Sequence, residues 1–509
     1  MKKEMEAFAG FLEKCAWWLA LLLMAGLAAA GVVITSQLRA PETVRYATGN
    51  VLICVLGACV LAAAVYGLMH AFERMKHIHL MAVLVLVWVV VTAVFFVGAD
   101  TRQEVDFLYV CQAAESFANG NYSPMSTDYF NVYSYQLGTV IVLEGLVRLV
   151  PQVRVELLMQ AINAVISMAS AAMLCAMGGI AFGDKRVRPA AMAMYLLCLP
   201  LAVYCIHVYG TLPMLMMCSA AVLCFTLYIR RGQLRFGVLY ALCAALAYML
   251  KPNGAVVLIA LLICAVLHAL QSGNWRPAGF AMLGCVLAVL LAKLVILQYE
   301  WRSGVTLRED VSMLARLVMG LQDGKRAAGW YNGYTEQFFG AAISVEQEKA
   351  VAAADLSARL GEMAADPVRA CIFFVQKALS QWLEPTYGTL LYGNYCRQTG
   401  VFAQAAQALF SEESALRMAL EGFMKAWQQM LYALSAIGMA AMLRRKGGVC
   451  QLVLPVAVLG GALYHMIFEA KSQYIYVYAI YLVPMAAYGL CVTKDYICRW
   501  ISERKNRQQ

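Results

Sequence analysis

The sequence predicts an all-α membrane protein, a bundle of about twelve transmembrane helices with long outer loops that carry interfacial helices. Three observations predict it. Of 509 residues, 62% are hydrophobic and only 14% charged, where a soluble domain carries about 25% charged residues. The mean hydropathy is +0.67. Apolar runs of the ~20 residues needed to cross ~30 Å of hydrocarbon recur along the chain.

Those runs are 15–35, 51–71, 79–98, 155–180, 189–206, 208–229, 236–250, 252–270, 277–298, 424–443, 449–468 and 473–494. The first is too long for the apolar core of a signal peptide, so Ala16 to Thr35 is expected to be an uncleaved anchor. Five regions follow from this pattern. Residues 1–98 hold the first helices, 99–153 a polar outer loop, 154–298 a central bundle, 299–423 a second outer region, and 424–509 the last helices and tail. Within the loops, Leu137–Val150 is apolar but short, as suits a helix lying at the interface. An Ala-rich, charged helical pattern ends at Asp366-Pro367, and 371–423 is expected to re-enter or to lie along the outer face.

The net charge of +10 does not mark a nucleic-acid binder, because its distribution follows topology. With twelve crossings, Lys2, Lys3, Arg74, Lys76, Lys185, Arg186, Arg230, Arg231, Arg444, Arg445, Lys446 and the basic tail share one side. The short loops opposite carry few basic residues, such as Arg39, Arg45 and Arg102. The positive-inside rule therefore makes both termini cytoplasmic in a plasma-membrane protein and turns the loop 99–153 outward. Most of the 17 cysteines lie in apolar helices, where they act as small hydrophobes. Cys371 and Cys396 lie outside them; a bridge is conceivable, free thiols the simpler expectation.

Function is expected first in the loop from Asp100 to Gly138. Asp100, Glu104 and Asp106 fall within seven residues at the edge of an apolar helix, and an aromatic-rich segment follows. Asp106 opens a helical pattern (Phe107, Val110, Ala114, Phe117) that ends at Asn119-Gly120, so its carboxylate sits at a helix N-terminus beside the membrane border. Such a group suits a base acting on a hydroxyl, with Asp100 the second choice. The three acids also offer oxygen ligands to a divalent cation, although no Asp/His/Cys cluster has metal-type spacing and no cofactor is indicated. No phosphate-binding glycine loop is present, which argues against ATP-driven work.

The pattern D-x-x-x-V-x-x-x-A, then G-N-Y-S, then Y-F-x-x-Y-x-x-Q-x-G occupies Asp106, Val110, Ala114, Gly120 to Ser123, Tyr129, Phe130, Tyr133, Gln136 and Gly138. It resembles the first outer loop of GT-C membrane glycosyltransferases, in the bacterial branch related to protein mannosyltransferases and the aminoarabinose transferase. Met319 to Tyr334, Lys377 to Tyr387 and His465 to Tyr474 extend the resemblance in order down the chain. Where the family has Pro after the loop tyrosine, this chain has Ser134. Where the family has E-x-x-x-R-Y, it has Glu469, Gln473 and Tyr474, with Lys471 as the nearby cation.

The resemblance implies a polyprenyl-phosphate sugar as donor, an outer-loop Asp base, inversion at the anomeric carbon, and an acceptor hydroxyl on a glycan, lipid or protein. Lys251, Lys377 and Lys471 are the candidate phosphate cations. Glu104, Tyr133, Gln136, Glu384 and Glu469 are candidate substrate contacts, and Trp330, Tyr331 and Trp382 candidate stacking partners for a sugar. The rival class, a transporter or lipid flippase, leads one to expect inverted repeats and ionisable residues at mid-membrane. Lys293 is among the few of the latter.

Overall fold

The computed structural model describes residues 2–74, 78–307, 311–338, 344–445 and 447–507. Lys76 and Lys446, two of the basic residues in the topology argument, lie outside them. The protein is an all-α integral membrane bundle. Among the described residues nine helices are long and apolar enough to cross a membrane, ten if one bent pair counts as a span.

All twelve expected segments are helical, but three differ from simple spans. Segment 189–206 is the bent pair, Val187–Leu196 and Leu199–Ile206, meeting at 61° where Pro200 starts the second helix. Segment 236–250 is the 17-residue helix Leu234–Leu250, ended by Lys251-Pro252. Segment 424–443 lies inside Ala415–Arg445, a 31-residue helix made less apolar by Lys425, Gln428 and Gln429. The expected anchor Ala16–Thr35 is also corrected. The helix is Lys2–Val33, and Ile34 and Thr35 begin a strand, Ile34–Arg39, paired antiparallel with Thr43–Thr48. β-Branched residues in both strands favour this hairpin, which the hydropathy pattern hid.

The axis of the bundle is the helix Ser472–Asn506, whose Tyr476, Tyr478 and Tyr481 are buried. Its Gly489 lies against the Leu434 carbonyl of Ala415–Arg445, where a Cβ would have no room. Small residues let membrane helices approach this closely. Val51–Arg74, Ile78–Ala99 and Arg276–Ser303 keep much of their apolar surface on the outside, as lipid-facing helices do.

Successive spans alternate between two ends. At one end gather the hairpin, the loop 99–153, the breaks near 207–210 and 251–254, the described parts of 304–414 and the turn 468–471. They are tied together by hydrogen bonds: Ser36 N–H donates to the Leu383 carbonyl (3.1 Å), Val44 N–H to the Arg326 carbonyl (3.0 Å), and Thr399 N–H to the Ala99 carbonyl (3.2 Å). Thr101–Arg102 pairs with Arg397–Gln398, joining the two long loops. A helix is present at the expected Leu137–Val150 as Leu137–Leu149, and the Ala-rich pattern is present as Val345–Ala365. Residues 371–423 form the helices Pro367–Trp382, Thr389–Tyr395 and Ala403–Phe410 before Ala415–Arg445 begins. At the opposite end Arg186 bridges Asp184 (2.7 Å) and Asp495 (2.6 Å).

Candidate functional site

The loop-bearing end encloses a cavity of about 810 Å³. It exists because helices stop short there. Pro252 disfavours helical backbone at Lys251, which is extended (φ −159°, ψ 127°), and the chain turns through Pro252–Gly254. Gly138 seats the start of Leu137–Leu149 directly against the Met249 carbonyl, where any side chain would collide. Lys251, Asn253, Met249 and Tyr248 thereby become one wall. The turn between Val449–Ile467 and Ser472–Asn506 contributes Phe468, Glu469 and Lys471. The first turn of Val105–Ala118 contributes Asp106. Ala292 and Ile296 of the lipid-facing helix Arg276–Ser303 form an apolar side, together with Met313 and Met319.

The charges in this cavity act on one another. Asp106 is open to the cavity yet ringed by protein, and burial raises its carboxyl above the usual range while Lys471 and Lys251 draw it back. Burial pushes the Lys251 ammonium down to about 7, with repulsion from Lys471 adding to it and Asp106 and Glu469 opposing. Lys251 Nζ donates to Thr211 Oγ1 (2.7 Å) and lies 4.6 Å from the centre of the Tyr209 ring. Glu469 accepts from the Tyr474 hydroxyl (3.1 Å), and burial raises its carboxyl as well. Lys471 does not pair with its neighbour Glu469. Its ion pair is with Glu42 of the hairpin (2.7 Å). Burial works against the Glu42 charge, but Lys471, the Tyr392 hydroxyl and Arg326 outweigh it and hold the carboxyl low.

Seven of the expected site residues line this cavity: Glu104, Asp106, Tyr133, Lys251, Tyr331, Glu469 and Lys471. Six lie elsewhere. Asp100 is ion-paired with Arg154 and accepts from Thr399 Oγ1 (2.8 Å), so it stays ionised outside the cavity. The three acids consequently form no single cation site, and among the described residues no group of His, Cys, Asp or Glu is arranged to hold a metal. Gln136 is buried against the Tyr209 hydroxyl.

Lys377 is fully buried and donates to the Gly320 and Phe468 carbonyls, the latter at 2.7 Å. Trp330 is buried, its indole N–H donating to Ser380 Oγ (2.8 Å), and Trp382 packs in the core 6.4 Å from Tyr478. Glu384 caps a turn by accepting from Thr386 N–H (3.0 Å) and Gly388 N–H (2.7 Å). Loop acids and aromatics near a membrane border look alike in sequence whether they face a cavity or the core. Cys371 and Cys396 are free thiols.

Sequence reasoning missed Glu42, Arg316, Arg326, Tyr209 and Tyr392, all of which line the cavity. The two arginines were visible in RLVMGLQDGKRAAGWYNGY, directly before the aromatic motif. Glu42 carried no signal, since only the folded hairpin brings it to Lys471.

The arrangement places a carboxylate ringed by protein, several cations and many tyrosine hydroxyls in one cavity with an apolar side. Such a set of groups is able to accept a proton and to hold an anion beside an apolar surface. Neither a curated protein nor a solved structure matches this chain. One family model does, over residues 14–490, and by that match the chain belongs to the family described as "Conserved hypothetical integral membrane protein".

Proposed function

We propose that the protein is a membrane glycosyltransferase. It transfers a sugar from a polyprenyl-phosphate donor to an acceptor hydroxyl on the outer face of the plasma membrane. The observation that carries this reading is the position of Asp106 opposite Lys251 and Lys471, in a cavity one side of which is the lipid-facing helix Arg276–Ser303. The polyprenyl chain would lie along Ala292 and Ile296, and its phosphate would meet the cations.

Asp106 takes the proton of the acceptor hydroxyl as its oxygen attacks the anomeric carbon. The bond from that carbon to the phosphate oxygen breaks, and the electron pair leaves with the polyprenyl phosphate, giving inversion. Lys251 and Lys471 counter the charge that develops on the leaving oxygen, the kind of electrostatic term that dominates many such reactions. An arriving phosphate draws Lys251 back to its charged form, so donor binding takes up a proton. Tyr133 and Tyr331 offer ring faces and hydroxyls to the sugar.

A transporter or flippase needs ionisable residues along a path across the bilayer. Here the ionisable residues of the cavity sit at one end, which favours chemistry over passage. The test is glycosyl transfer by the protein reconstituted in vesicles with defined polyprenyl-phosphate sugars. Transfer by the wild type supports the reading. Absence of transfer with every donor, alongside measurable lipid or solute flux, refutes it.

A further inference from the structure

Glu42 stands among the very cations that a phosphate would use. It lies at the turn of the hairpin, with a left-handed backbone (φ 75°) unusual for a side chain of its size, and is only 7% exposed. Its carboxylate accepts from the Tyr392 hydroxyl (2.5 Å), pairs with Lys471 Nζ (2.7 Å), and pairs with Arg326 through its other oxygen. The hairpin is anchored on both flanks. Arg39 Nη2 donates to Glu421 (2.8 Å) and Ala40 N–H to Glu412 (2.7 Å), while Val44 N–H meets the Arg326 carbonyl (3.0 Å). Glu42 is thus a fixture of the cavity wall, not the tip of a mobile lid. Non-glycine residues hold left-handed backbone only where the surroundings impose it, and such positions cluster at ligand sites.

We propose that Glu42 is a specificity-determining residue that restricts the lipid donor to a single phosphate. The inference rests on the phosphate-donor reading above and deepens it. The carboxylate holds Lys471 and Arg326 in place and cancels part of their charge. What remains suits one phosphate beside Lys251, and a second phosphate would face the Glu42 carboxylate. Selectivity by repulsion of the wrong ligand is a general device.

The test measures binding of geranylgeranyl monophosphate and geranylgeranyl diphosphate to the full-length protein in detergent micelles by titration calorimetry. Thermal melting confirms that each variant is folded. Wild type favours the monophosphate. Glu42→Gln shifts the ratio of the two dissociation constants toward the diphosphate by about tenfold, the change that ~1.4 kcal/mol produces. Glu42→Asp, which keeps the charge, retains the wild-type ratio. A wild type that binds both lipids, with a ratio unchanged in Glu42→Gln, overturns this proposal and leaves the phosphate-donor reading standing. So does an equal shift in Glu42→Asp and Glu42→Gln, since hairpin disruption alone explains it. A wild type that binds neither lipid overturns both.

Discussion

Replacing Asp106 with asparagine removes a negative charge and one proton acceptor while keeping the size of the side chain. Loss of a general base typically lowers turnover by about 10²–10⁴-fold, which is ~2.7–5.4 kcal/mol of transition-state stabilisation at 1.36 kcal/mol per factor of ten. The same substitution should not harm the fold. Burial raises the Asp106 carboxyl pKa, so its ionised form is the less favourable one in the folded protein. A carboxyl raised in the folded state weakens folding at pH values above that raised pKa. Its cost fades as pH falls toward the ordinary carboxylate value, where folded and unfolded states are both protonated. At neutral pH Asp106→Asn is therefore expected to melt at or above the wild-type temperature while losing transfer.

The assay pairs initial rates of sugar transfer in reconstituted vesicles with thermal melting in detergent. Transfer should also decline as pH falls through the raised Asp106 pKa, because the base must be ionised. Full transfer by Asp106→Asn, or a rate abolished by Asp100→Asn and untouched by Asp106→Asn, would refute the assignment. The structure expects the opposite for Asp100, held outside the cavity by Arg154 and Thr399.

Other expectations concern residues that the fold places in the core, and one at the cavity wall. Lys377→Met leaves the Gly320 and Phe468 carbonyls without their donor, a loss of about 1–3 kcal/mol for each unsatisfied group, read as a lower melting temperature. Burial lowers Lys377 to about 7, so between there and its ordinary value the unfolded chain holds the extra proton. Stability of the wild type relative to Lys377→Met should thus grow as pH rises from about 7 to 10. Trp330→Phe removes the bond to Ser380 and should cost about 1–2 kcal/mol of stability with donor KM unchanged. Tyr331→Ala, at the cavity wall, should raise donor KM with little change in melting. Gly489→Ala brings a methyl against the Leu434 carbonyl in the crossing of two helices, and should lower melting temperature and yield together.

Burial in lipid is decided by long, local runs of apolar residues, so the helical membrane class was legible from the chain alone, and all twelve segments are helical although only nine or ten of the described helices are long and apolar enough to span. The same holds for helix starts marked by local chemistry. Asp106 was expected at the head of a helix ending near Asn119 and lies in the first turn of Val105–Ala118. Composition also located the polar investment, in the loops where the cavity is lined. Which loop residues face that cavity was another matter. Asp100 and Asp106 are six positions apart in similar surroundings, yet one closes an ion pair with Arg154 and the other opens into the cavity. Trp330 and Tyr331 are adjacent, one buried against Ser380 and the other at the wall. Such choices depend on the direction of a Cα–Cβ bond and on partners hundreds of residues away. Glu42 and Lys471, 429 positions apart in sequence, meet at 2.7 Å only because the hairpin and the last inter-helix turn reach the same end of the bundle. Local physics, carried in the order of residues, determined the bundle and its polar end. The partner of each charge was decided by packing, because electrostatic contacts act over a few ångströms in space whatever their separation along the chain.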